Sequence, residues 1–154
     1  MILLETMVLS ELRKGRHSAG VIAYLEAQLP DTVFVSAMTI GGIKAGIEKQ
    51  RKASPKASDF AEELSQWLML TLMLMLMEMQ FAEFILPATP AIAKLWGRLC
   101  VQSGNMGIDN LIAATALVHN LLAVTRNVKD FEAAGAGVFD PFNRQEINLL
   151  ARVR

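Results

Sequence analysis

Three carboxylates in this chain stand where one structural element gives way to the next. Glu5 ends the apolar run Ile2–Leu4 and is followed by Thr6. Asp109 opens the Ala-rich stretch IDNLIAATALVH, and Asp130 lies in VTRNVKDF, behind Thr125, Arg126 and Asn127. Carboxylates directed into one crevice repel one another. Such a cluster persists when a divalent cation neutralises it, and oxygen-only donors suit Mg²⁺ or Mn²⁺. Each acid also has a plain structural reading: Glu5 as a solvated strand end, Asp109 as a helix N-cap, Asp130 as a turn residue. Thr6 and Thr125 are placed to orient a carboxylate or water, or simply to satisfy backbone at strand ends.

Bringing these residues together requires particular elements. Ile2–Leu4 reads as a short buried strand, with a helical turn from Val8 to Arg13. Val21, Ile22, Leu25 and Leu29 recur at helical spacing, and Pro30-Asp31 ends that helix. Thr32–Val35 is rich in β-branched and aromatic residues and reads as a second strand. Met38–Lys52 is helical in its apolar spacing despite three glycines, and Phe60 to about Gln80 is a long helix. Phe84–Leu86 is a third strand. Thr89 then caps a helix that has Pro90 at its first position and runs to about Gln102, where SGNMG breaks it. Ile108–His119 is a helix, Leu121–Thr125 a fourth strand and Val138-Phe139 a short last one. Strands alternating with helices predict an α/β fold of three layers, with a central, mainly parallel sheet of four to five short strands flanked by helices. In such sheets ligands bind beyond the carboxyl ends of the strands, where Glu5, Thr6, Ser36 and the segment from Thr125 to Asp130 fall.

Composition narrows the function classes. The 154 residues suit one domain, and 53% hydrophobic with 19% charged residues fills a core readily. Lys and Arg number 15 and Asp and Glu 15, so bulk charge attracts no polyanion, and nucleic-acid contact requires a local patch. Arg13, Lys14, Arg16, Arg126 and Lys129 are the candidates for phosphate contacts. Cys100 is alone, which fits a reducing cytoplasm, and the N-terminus lacks the features of a signal peptide. The apolar run from Trp67 to Leu86 is interrupted by Glu78 and Glu83, so a buried helix with a Met-rich face over 69–79 fits better than a membrane span. His17 and His119 lack HExxH spacing, and neither a GxSxG elbow nor a GxxxxGK[ST] loop is present. A nucleotide-binding α/β domain is therefore the least favoured reading.

The segments ILLETMVLSELRKG, SAMTIGGIKAGIEKQRK, TPAIAKLWGRL, GIDNLIAATALVHNL and VTRNVKDF followed by VFDPF resemble the PIN-domain ribonucleases, specifically the VapC/FitB toxins of bacterial toxin–antitoxin pairs. The resemblance spans residues 1–142 as a PIN domain and leaves 143–154 as a tail, helical or disordered. It implies a cytoplasmic, metal-dependent endoribonuclease in which Glu5, Asp109 and Asp130 hold Mg²⁺ or Mn²⁺ and activate water. Thr6, Thr125, Arg126 and Asn127 would support the site or contact RNA. A cognate antitoxin, an RNA substrate and a homodimer are the implied partners. The chain departs from the family pattern in two places. Glu5-Thr6-Met7 stands where the family has Asp-Thr-Asn, and Gly42 stands where it has Glu. Glu48 lies too far along the helix to substitute. The expectation is weak metal binding and low activity, and the alternative is a catalytically impaired PIN-fold protein that binds an antitoxin or RNA.

Overall fold

The computed structural model describes residues 1–14, 16–53, 57–78 and 84–143, of 30, 53, 57–58 and 71–78 the backbone only. Ile2–Leu4 forms β1, at the centre of a five-stranded sheet. It pairs in parallel with β2 (Val33–Ser36) on one side and β4 (Leu122–Val124) on the other. β3 (Ile85–Leu86) lies outside β2 and β5 (Val138–Phe139) outside β4, again in parallel, giving the order β3-β2-β1-β4-β5. The chain builds outward from β1 in one direction and then returns to its other side. That change of direction makes the β1–β4 boundary the switch point of the sheet, where the strand ends open a crevice.

Strands this short are held by burial on both faces, as parallel sheets require. Ile2 and Leu4 face one side of the sheet and Leu3 the other. The first side is covered by α1 (Thr6–Glu11), α2 (Ala19–Glu26), α3 (Ala37–Ala53) and α4 (Ala57–Glu78), through Val8, Leu9, Val21, Ile43, Ile47, Ala61, Leu64 and Leu68. The second is covered by α6 (Ile108–Val118) and the short α7 (Val128–Ala133), through Ile112, Ala113, Ala116 and Phe131. α5 (Pro90–Ser103) packs on α6 around Ile92, Leu99 and Ala114. The small residues of the Ala-rich stretch thus let α6 lie close to the sheet and to α5 at once.

The predicted elements are present, with ends displaced by a few residues. Phe84 belongs to a 3-10 turn rather than to β3, and α7 occupies a segment for which no element was predicted. The Met-rich run continues α4 as far as Glu78, with Met69 and Leu70 exposed. The expectations for Met79, Glu83 and the tail from 144 lie outside the described residues. Among the described residues no helix is long and apolar enough to cross a membrane.

Candidate active site

Glu5 occupies the first position past β1. Its N–H still donates to the Val124 carbonyl of β4 at 3.1 Å, so the backbone is fixed at the switch point. The side chain then turns back to cap α1, accepting the Met7 N–H at 3.0 Å. Thr125, at the matching position past β4, donates its hydroxyl to the same carboxylate oxygen at 3.2 Å. That hydroxyl also accepts the Asn127 N–H at 2.9 Å, which fixes the turn into α7. Glu5 is only 3% exposed, which removes the reading of a solvated strand end.

Asp109 arrives from α6. Gly107, not Asp109, is the N-cap, and Asp109 sits in the first turn. What sets its place is the SGNMG break. Gly104 ends α5 in the left-handed region at φ 67°. The buried Asn110 amide donates to Ser103 Oγ at 2.7 Å and to the Asn105 carbonyl at 2.6 Å. The start of α6 is thereby anchored to the end of α5.

Asn127 joins the second acid to the third. Its amide nitrogen donates to Asp109 Oδ2 at 2.9 Å and to Asp130 Oδ2 at 2.7 Å, so one side chain holds two carboxylates in register. Asp130 stands in the first turn of α7 and is exposed. A cleft of about 470 Å³ is lined by Glu5, Thr6, Met7, Gly42, Ile108, Asp109, Arg126 and Asn127. Asp130 is not among its walls, and among the described residues no group of three acidic, His or Cys side chains is close enough to share an ion. Glu5 and Asp109 thus share the cleft, and Asp130 is linked to Asp109 through Asn127.

Electrostatics agree with a pair. Burial pushes the Glu5 carboxyl above its ordinary value, and the nearby Asp109 charge adds to the effect, against the hydrogen bonds from Met7 and Thr125. The Thr6 hydroxyl also favours charged Glu5. It makes no well-formed hydrogen bond itself, leaving a buried polar group beside the cleft. Gly42 faces the same space. Thr39, one turn earlier, donates to the Leu4 carbonyl at 3.3 Å and holds α3 against the end of β1. A Cβ at position 42 would meet Thr6 Oγ1 at 3.2 Å.

Of the basic residues proposed for phosphate contact, only Arg126 lines the cleft. Lys14 is paired with the buried Glu11, whose carboxylate also accepts the Ser18 N–H at 2.9 Å. Arg13 lies over the Phe60 ring and lines a neighbouring pocket that shares Thr6 and Gly42 with the cleft. Arg16 and Lys129 are exposed outside the cleft. Sequence reasoning did not find Glu11, because nothing in SELRK distinguishes a buried carboxylate from a surface one.

One consequence concerns stability. A Glu held above its ordinary value keeps its proton longer in the folded chain than in the unfolded one. Stability therefore falls as pH rises from the ordinary Glu value through the raised one, and the cost is complete above it. Glu5→Gln removes that cost while keeping an oxygen for Met7 and Thr125. In chelator at neutral pH the variant is expected to melt higher than the parent, each kcal/mol recovered being worth about 2–4 °C in a chain of this size. The difference should vanish below the ordinary Glu value. Thermal melts across pH check this, and a lower melting point at neutral pH would contradict it.

A parallel three-layer α/β domain with paired acids at the switch point defines the class: a PIN-type domain. No family model matches the sequence. VapC ribonuclease Y4jK of Sinorhizobium fredii is 30% identical over 143 residues, covering 92% of this chain and 98% of that protein. The crystal structure of FitAcB from Neisseria gonorrhoeae superposes with a TM-score of 0.74 at 28% identity, over 92% of this chain and 99% of that one. A toxin–antitoxin complex from Klebsiella pneumoniae superposes at 0.58 with 27% identity, over 96% and 100%. The chain belongs to the VapC/FitB family of PIN-domain toxins.

Proposed function

We propose that this protein is a divalent-metal-dependent endoribonuclease, the toxin half of a toxin–antitoxin pair, with a weakened metal site. The observation that carries the reading is the coupling of Glu5 and Asp109 across one cleft at the switch point. The donor set fits a hard cation. Mg²⁺ commonly keeps several waters and is bound through one or two carboxylates, which is what this pair offers. Glu5 and Asp109 would hold Mg²⁺ or Mn²⁺, with Asp130 kept beside them through Asn127. When bound, the metal supplies Lewis acidity and a water of lowered pKa for attack on a phosphodiester.

The chain's own residues do the positioning. Thr125 and the Met7 N–H orient the Glu5 carboxylate, and Asn127 keeps Asp109 and Asp130 facing together. Thr6 offers its free hydroxyl at the cleft wall, and Arg126 supplies positive charge beside the acids. The partners in this reading are a cognate antitoxin, an RNA substrate and a second copy of the chain, all in the cytoplasm. The similarity to a toxin–antitoxin complex supports the first of them.

Gly42 favours a second reading, a catalytically impaired PIN-fold binder of antitoxin or RNA, because no side chain there reaches the cleft. Incubation of single-stranded RNA with Mg²⁺ or Mn²⁺, against a chelator control, separates the two. Slow cleavage abolished by chelator is the expected result. RNA or antitoxin binding with no chelator-sensitive cleavage would establish the binder instead.

A further inference from the structure

The segment VFDPFN follows the site in sequence but holds none of its acids, and the structure sets it directly beside Arg126. β5 places it there. The Thr125 N–H donates to the Phe139 carbonyl at 3.0 Å, so the chain leaving β5 starts level with the residue before Arg126. Asp140, 5% exposed, then closes a tight turn. Its carboxylate accepts the Phe142 N–H at 2.9 Å and the Asn143 side-chain amide at 2.8 Å. α2 presses on the outside of this turn. Gly20 approaches so closely that a Cβ there would lie 2.3 Å from the Pro141 carbonyl oxygen. The turn therefore has little freedom to move, and the Phe142 ring emerges from it underneath the Arg126 guanidinium, 5.3 Å from ring centroid to Cζ.

The position of that guanidinium is informative. Arg126 shares a cleft with Glu5 and Asp109, and in a cleft with two buried or half-buried carboxylates a flexible arginine is drawn onto them. Yet Arg126 forms no ion pair with any described residue. It rests on the ring instead. Its backbone is fixed on both sides, since Thr125 is tied to Glu5 and Asn127 to Asp109 and Asp130. A guanidinium held over an aromatic face and paired with no described acid keeps its N–H donors available to another acceptor. The result is an uncommitted cation at the wall of an acidic cleft, where a phosphate oxygen is the complementary group.

We infer that the Asp140–Asn143 turn is a bracket that uses the Phe142 ring to hold Arg126 off the acids, so that Arg126 binds a phosphate of a single-stranded RNA laid across the cleft. Phe142 and Asp140 are positioning residues in this scheme, and Arg126 is the residue that touches the strand. The inference rests on the nuclease reading and adds to it the residue that seats the substrate.

The test is RNA binding in chelator by the full chain, which keeps both acids in place and withholds the metal that cleavage needs. Fluorescence anisotropy with a labelled single-stranded RNA is followed as salt rises. Arg126→Ala is expected to weaken binding several-fold at low salt and to reduce the slope of log affinity against log salt by about one unit. Phe142→Leu keeps apolar bulk but removes the π face, and should reproduce most of that loss. Phe142→Tyr should restore both affinity and slope. Arg126 is exposed, so its variant reports on the phosphate contact even if the Phe142→Leu chain fails to fold. Unchanged affinity and slope in Arg126→Ala would overturn the inference and leave the nuclease reading standing. A Phe142→Leu loss that Phe142→Tyr does not recover would overturn the bracket. No RNA binding by the parent at any salt would instead strike the nuclease reading itself.

Discussion

Asp109→Asn is expected to lower Mn²⁺ affinity by more than about 100-fold, and Asp130→Asn by only about 10–100-fold, the range found for partners that act through another group. The asymmetry follows from where the two acids sit. Asp109 lines the cleft and its charge is felt by Glu5. Asp130 is exposed and reaches the pair through the Asn127 amide, which donates to it at 2.7 Å. Losing Asp109 leaves a single buried carboxylate with no second anion to hold a cation. Losing Asp130 leaves the pair intact and frees one Asn127 donor. Calorimetric titration with Mn²⁺, paired with RNA cleavage rates, separates the cases. Equal losses would mean that all three acids bind the ion directly.

Gly42→Glu is expected to act in the opposite direction, raising metal affinity and chelator-sensitive cleavage by at least about 10-fold, the lower end of what one supporting group contributes. The site has room at a cost. A new Cβ stands 3.2 Å from Thr6 Oγ1 and 3.4 Å from Ile108 Cδ1, so both must give slightly. Thr6 can do so because its hydroxyl has no well-formed hydrogen bond to lose. Replacing a helical Gly also favours α3 by up to about 1 kcal/mol. Gly42→Ala separates the effects: it carries the same Cβ and the helix gain, and is expected to leave metal affinity unchanged. If the Glu variant binds metal no better than the Ala variant, the cleft does not lack a ligand at this position.

The acid pair was legible because each member is punctuation in an apolar pattern. Glu5 ends a run of buried strand residues, and Asp109 begins a helix whose Ala spacing is plain. Their convergence was harder to read. It depends on β4 lying beside β1, a pairing between residues some 120 positions apart along the chain. The helix α7 was missed because its six residues are too few to show a helical period, so Asp130 was read as a metal ligand, with a turn residue as the plain alternative, and not as part of a helix. Asp109 was allowed as an N-cap, a frequent place for Asp, but Gly107 holds that position and Asn110 fixes the loop from inside. Lys14 read as a candidate for phosphate contact because the burial of its partner Glu11 is created by tertiary packing. The role of Gly20 was equally hidden, since the carbonyl that excludes a side chain there belongs to Pro141.

The most direct measurement is a crystal structure of the chain grown with Mg²⁺. The expected result is one ion in the cleft, with an oxygen of Glu5 and an oxygen of Asp109 each at about 2.0–2.1 Å, water completing the octahedron and Asp130 touching only that water. A cleft in which Glu5 and Asp109 bind no common ion at saturating Mg²⁺ would contradict the account.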